Sequence, residues 1–179
     1  VWHVDPARLF RIPNGIPTRL YAAAPQRGAI PGLKRRTGEV VIGTLAGLRA
    51  VKNVPRLVRA ALSMANTRLV VVGEGPERTA VAAVAASMGA SDRLVLPGFL
   101  PEPHRYIGAF DVFALSSDSE QFPISLVEAM AAGLPVAATD VGDVRAMLPE
   151  AQSRFVVPCD DHKLAAALRQ LVADPALRQ

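Results

Sequence analysis

From Val40 onward the chain repeats one unit, an apolar run of strand length followed by a turn and a helical pattern. The runs are Val40–Leu45, Leu69–Val72, Arg93–Leu96, Val112–Leu115, Pro135–Thr139 and Arg154–Val157. None alternates apolar with polar residues, which is the pattern of strands covered on both faces. The intervening segments read as helices. Asn53 caps the first, Pro55 sits in its first turn, and Leu57, Val58, Ala61 and Leu62 form its apolar stripe. A second starts near Pro76, presents Val81, Val84, Ala85 and Met88, and stops at Gly89. Shorter helices are expected near 103–108, 124–132 and 143–148. Asp160 or Asp161 caps a last one carrying Leu164, Leu168 and Leu171. This alternation predicts an α/β fold, a doubly wound parallel sheet of the Rossmann-like kind.

The start of the chain is different. Residues 1–38 hold Pro6, Pro13, Pro17, Pro25 and Pro31 and read as an irregular entry or interdomain segment, with the α/β domain occupying 39–179. Leu9-Phe10-Arg11-Ile12 is a candidate short strand, stopped by Pro13-Asn14-Gly15, and 22–38 reads as a linker or surface loop. The sequence opens without Met and ends at Asp174-Pro175-Ala176-Leu177-Arg178-Gln179 without a clear stop, so an excised domain is expected.

Composition narrows the function classes. With 50% hydrophobic residues the chain is globular. A net charge of +4 gives no argument for nucleic acid. The single cysteine, Cys159, excludes an internal disulfide framework and favours a reducing, cytoplasmic compartment. Lys34-Arg35-Arg36 is the one compact basic run; it reads as a solvated loop, or as a weak peripheral contact with the anionic inner face of a membrane. No apolar window reaches spanning length, and Val1-Trp2-His3 has none of the features of a signal peptide.

The chemistry concentrates in Ser116–Val141, SSDSEQFPISLVEAMAAGLPVAATDV, where Glu120 lies on a loop and Glu128 on the following helix. Glu128 either complements the helix N-terminus or uses its two acceptors on a vicinal diol such as a ribose. Glu120 is either a solvated acid or an acceptor for sugar hydroxyls, facing positive charge that develops at carbon. Between them, Phe122-Pro123-Ile124-Ser125 opens a helix whose free N–H donors at Ile124, Ser125 and Leu126 suit a phosphate. Lys52 and Arg49, after the first strand, are a solvated pair or can neutralise a diphosphate. Gly73-Glu74-Gly75 has Arg78 where a dinucleotide fingerprint needs its third glycine, so it reads as a tight turn. His3, His104 and Cys159 lack metal-ligand spacing.

Glu120 and Glu128 with QFPISLV between them, followed by Ala129–Val136, resemble the donor-site signature of retaining glycosyltransferases of family 4, the group 1 family with the GT-B fold. Arg11–Ile16, Ile42-Gly43-Thr44-Leu45 with Lys52-Asn53, Val71–Pro76 and Leu96–Leu100 fall in the family's order, so the resemblance spans about residues 8–173. It implies a C-terminal donor-binding domain that takes a nucleoside-diphosphate sugar. Glu128 would hold the ribose, Glu120 would contact the donor sugar as the catalytic acid residue, and the backbone of Phe122, Pro123, Ile124 and Ser125 would line the sugar and distal phosphate. Lys52 would neutralise the leaving diphosphate without a metal or other cofactor, and Gly98, Phe99 and Leu100 would border the base.

Three departures accompany the resemblance. Ala46 and Gly47 stand where the family commonly has an arginine, leaving Arg49 as the candidate replacement. Pro17 replaces an acid that often follows Asn-Gly-Ile. The acceptor-binding half that precedes this domain in the family is absent, as is the long closing helix. The expectation is therefore a retaining hexosyltransferase as a full-length chain and no transfer by this domain alone. A GT-B nucleotide-sugar epimerase is the alternative among enzymes, and a non-catalytic α/β nucleotide-binding module the alternative outside them.

Overall fold

The computed structural model describes residues 5–10, 12–26 and 28–178. Six parallel strands form one sheet: β1 (Val40–Leu45), β2 (Thr67–Val72), β3 (Leu94–Gly98), β4 (Val112–Leu115), β5 (Val136–Thr139) and β6 (Val156–Val157). Their spatial order is β3-β2-β1-β4-β5-β6. The helices are α1 (Val54–Leu62), α2 (Arg78–Ser87), α3 (Ile124–Ala131), α4 (Val144–Met147) and α5 (Asp161–Ala173). This is the doubly wound order, and it reverses direction between β1 and β4.

The unbroken apolar runs follow from two buried faces. Val40 and Ile42 of β1, Leu69 and Val71 of β2, and Val112 and Ala114 of β4 join α1 and α5 in one core. Val41, Val70, Phe113 and Leu115 point the other way, into a second core with Leu126 and Ala129 of α3. On the first face Leu164, Leu168 and Leu171 of α5 are fully buried.

The ends of the helices follow their side chains. Asn53 adopts the left-handed conformation (φ 40°), and its side-chain oxygen accepts from the Arg56 N–H at 3.3 Å, capping α1. Of the two candidate caps for α5, Asp160 does the capping, accepting from the Lys163 N–H at 2.9 Å.

Three expectations are corrected. Leu9, Phe10 and Ile12 are not in a strand and are exposed, because no neighbouring strand offers them backbone partners (Arg11 lies outside the described residues). The 22–38 segment is not purely a surface loop: Ile30 is 5% exposed and packs, with Tyr21, in the second core. The last strand is shortened to two residues, since Glu150–Phe155 coils into a 3-10 helix. His3 lies outside the described residues.

At the amino ends of the strands Glu39 and Arg68 form a buried pair, with Nε to Oε2 at 2.9 Å and Nη2 to Oε1 at 3.0 Å. The Arg68 guanidinium holds the Glu39 carboxyl below its ordinary value against the opposing effect of burial. Two of the three residues in the basic run are also paired there, Arg35 with Asp111 at 2.8 Å and Arg36 with Asp92 at 3.4 Å.

Candidate functional site

The carboxyl ends of β1 and β4 are neighbours in the sheet, at the point where the strand order reverses. In such sheets the connections leaving those two strands diverge and open a crevice between them. Lys52 comes from the first connection and Glu120 from the second, and the structure brings them together. Lys52 Nζ donates to Glu120 Oε1 at 2.6 Å, and the Ser117 hydroxyl donates to the same oxygen at 2.6 Å. Both charged side chains are largely buried, at 18% and 10% exposure.

The two connections are also joined through their backbones. The Asp118 N–H donates to Val51 O at 2.8 Å, and the Ser116 hydroxyl donates to Lys52 O at 3.0 Å. Below them lies Arg56, in the first turn of α1 and 8% exposed. It donates to Ser116 O (3.1 Å), Asp118 Oδ1 (2.6 Å) and Asp161 Oδ1 (3.0 Å). The Asn53 amide donates to the other oxygen of Asp118 at 3.0 Å. From the far side, the Thr139 hydroxyl donates to Ser117 O at 2.6 Å. The loop carrying Glu120 is thus held from the β1–α1 connection, α1 and β5, with Asp161 of α5 bonded to the same Arg56.

Glu128 lies in the second turn of α3, half-buried. Its Oε1 accepts the Tyr21 hydroxyl at 2.7 Å. Burial raises its carboxyl above the ordinary value, and the Tyr21 hydrogen bond opposes that rise. Tyr106 lies close by, its hydroxyl donating to Leu100 O at 3.1 Å. Burial, then the charge of Glu128, pushes the Tyr106 phenol up to about 12.

At the helix start one expectation is corrected. The Leu126 N–H is not a free donor, because it closes a tight first turn on Pro123 O at 3.1 Å. Pro123 is buried, while Ile124 is 47% exposed. Phe122 faces away into an apolar groove with Val127, Met130 and Met147.

A cleft of about 460 Å³ adjoins the crevice, lined by Leu45, Ala46, Gly47, Phe99, Leu100 and Tyr106 among others. Phe99 is 73% exposed at its lip, and Gly98 ends β3 beneath it with φ 87°. Gly73 also lines the cleft, and with Gly75 it lets its turn pack closely on the 46–48 loop. A Cβ on Gly73 would collide with the Ala46 carbonyl, and one on Gly75 with the Leu48 carbonyl. The Gly-Glu-Gly turn therefore serves close packing of two loops, and Arg78 binds back to Glu74 (3.1 Å) and Leu96 O (2.8 Å). Arg49 is exposed on the 46–52 connection. Among the described residues, no three His, Cys, Asp or Glu side chains are grouped to hold a metal. No helix among them is long and apolar enough to cross a membrane.

Sequence reasoning missed Tyr21, Ser117, Arg56 and Asp118. Only Arg56 carried a signal: a cation in the first turn of a helix opposes the helix dipole and needs another partner.

The sequence matches the family described as "Glycosyl transferases group 1" over residues 29–179. It is 32% identical over 177 residues to 2-deoxystreptamine glucosyltransferase of Streptomyces kanamyceticus, covering 92% of this chain and 45% of that protein. The chain spans less than half the length of the curated relatives it matches. Among solved structures it resembles WaaG, a glycosyltransferase involved in lipopolysaccharide biosynthesis, with a TM-score of 0.83 and 24% identity over 99% of this chain and 50% of that one. It also resembles Anabaena Alr3699/HepE, solved in complex with UDP-glucose, with a TM-score of 0.77 and 23% identity over 92% and 48%. The two structural likenesses are of fold; the match through most of the sequence carries the family. The chain belongs to the group 1 glycosyl transferases, and its doubly wound sheet is an α/β domain of the GT-B kind.

Proposed function

We propose that this domain binds the nucleoside-diphosphate sugar donor of a retaining hexosyltransferase. The observation that carries the reading is the convergence of Lys52 and Glu120 at the β1/β4 crevice, next to the cleft walled by Phe99 and Leu100. The complex of Alr3699/HepE with UDP-glucose, a protein of the same fold, supports a nucleotide sugar as the ligand class.

On this reading the base enters the cleft against Phe99 and Leu100, over the backbone of Gly98. Glu128 accepts from the ribose hydroxyls. The diphosphate lies toward Lys52, Arg49 and the start of α3 at Ile124 and Ser125, with the backbone of Phe122 and Pro123 shaping that wall. Lys52 then exchanges Glu120 for phosphate oxygens. Glu120, released from the ion pair, faces the sugar, where a carboxylate stabilises the oxocarbenium-like transition state. The glycosidic C–O bond breaks with its electron pair passing to the diphosphate, and Lys52 stabilises that charge as it develops. The acceptor oxygen forms the new bond on the same face and passes its proton to the departing diphosphate oxygen. Lys52 and Arg49 supply the positive charge, so no metal is needed.

The acceptor wall is not built by these residues, so transfer belongs to a longer chain and donor binding to this domain. Calorimetric titration with UDP, GDP and ADP tests the reading. Binding of at least one, abolished in Lys52→Ala, is expected; no binding to any of the three by a folded domain refutes it. Proton NMR of the product formed by the full-length enzyme distinguishes retention from inversion.

A further inference from the structure

Glu128 has one oxygen already in use. Tyr21 donates to Oε1 at 2.7 Å, and this is the only partner of the Glu128 carboxylate among the described residues. No buried side-chain oxygen or nitrogen among them lacks a hydrogen-bond partner, so Oε2 is not sealed from solvent. Tyr21 is itself rigidly placed. It is 7% exposed, its N–H closes a 3-10 turn on Thr18 O at 2.9 Å, and its ring stands edge-on to His104, 6.0 Å between centroids at 76°. His104 follows Pro103, which lines the base cleft, and Tyr106 beyond it lies close to Glu128. A residue of the irregular entry segment, 107 positions from Glu128 in sequence, thus links the acid to the wall of the cleft.

We infer that Tyr21 is a positioning residue for Glu128: its hydroxyl fixes the carboxylate through Oε1 so that Oε2 faces a diol in the crevice. The bond does two things. It removes the rotamer freedom of a long acidic side chain, so that less is lost when the ligand is bound. It also supplies the buried carboxylate with a donor that favours its ionised form, the form able to accept from two hydroxyls. Tyr21 need not touch the ligand, because its effect passes through Glu128.

This inference rests on the donor-site reading above, and one set of titrations separates the two. The probe is whichever of UDP, GDP and ADP the wild-type domain binds most tightly, paired with its 2′,3′-dideoxy analogue. Tyr21→Phe keeps the ring against His104 and removes only the donor. It is expected to weaken the ribonucleotide about tenfold and the dideoxy analogue less than about threefold, because the hydroxyls that sense Glu128 are gone from the latter. A merely structural role for Tyr21 would weaken both ligands equally, and that result, or unchanged ribonucleotide affinity, overturns the inference. Glu128→Gln is the second variant, and it is expected to lose the same discrimination. If Glu128→Gln discriminates as the wild type does, Glu128 does not read the diol and the inference fails. If the wild type binds none of the three nucleotides, the donor-site reading fails first and takes this inference with it.

Discussion

Replacing Lys52 by Met keeps most of its volume and leaves Glu120 as a carboxylate at 10% exposure without its cation. The pair is short, 2.6 Å, and an effective dielectric constant near 20 gives about 6 kcal/mol of attraction at that distance. Desolvation of both groups offsets much of it, so the pair itself contributes little net stability. Removing one partner is different, because the penalty of burying the other remains; breaking such a pair destabilises by about 3–5 kcal/mol. The Ser117 hydroxyl still donates to Glu120 at 2.6 Å, which places Lys52→Met at the lower end, about 3 kcal/mol. With a urea m-value of about 2 kcal/mol/M, the unfolding midpoint should fall by about 1.5 M. The double variant Lys52→Met/Glu120→Gln removes both charges and should return to within about 1 kcal/mol of the wild type. Urea unfolding followed by circular dichroism measures all of these. A loss below about 1 kcal/mol in Lys52→Met, or a double variant as unstable as the sum of its single changes, refutes the claim that these two charges depend on each other.

Further expectations concern the cleft, the loop support, the sheet end and the metal. Phe99→Ala should weaken nucleotide binding by about 1–3 kcal/mol through lost stacking while leaving thermal stability unchanged, measured by calorimetry and a melting scan. Arg56→Met leaves Asp118 and Asp161 without their shared guanidinium and should lower stability by about 3 kcal/mol, the low end because both acids are more than a third exposed; an unaltered urea midpoint would contradict it. Glu39 has its carboxyl held below the ordinary value, so its contribution is present above the unfolded carboxyl's pKa, about 4.3, and is lost as pH falls through the folded one. Arg68→Met should remove that acid-sensitive component, and urea midpoints at pH 3 and pH 7 compare the two chains. Nucleotide affinity should be the same with and without EDTA in the titration.

The strands were legible because their apolar runs need two covered faces, and no other burial pattern accounts for Val40–Ile42 or Val112–Leu115. Asn53 was legible as a cap because its short side chain can bond its own helix start. Lys52, Glu120 and Glu128 stood out as charged groups beside turns at strand and helix ends. The pairing of Lys52 with Glu120 did not, since 68 residues separate them and strand order sets their approach. Tyr21 was hidden for the same reason, in a proline-rich segment whose packing depends on α3 and not on its own sequence. The Leu9–Ile12 segment misled because β-branched and aromatic residues predict a strand only where an edge is available to receive it.

The strand order bears on folding as well as on binding. β1, β2 and β3 are contiguous in sequence and form one wing of the sheet, and β4, β5 and β6 form the other. Within the sheet the wings meet along a seam, the β1–β4 ladder, and Lys52 and Glu120 sit at its carboxyl end, one from each wing. A chain that has folded either wing alone therefore has no Lys52–Glu120 pair. A nucleotide that bridges the seam would bind only after the wings have docked, and its binding energy would act on that docking step, making the ligand a late clamp on the fold.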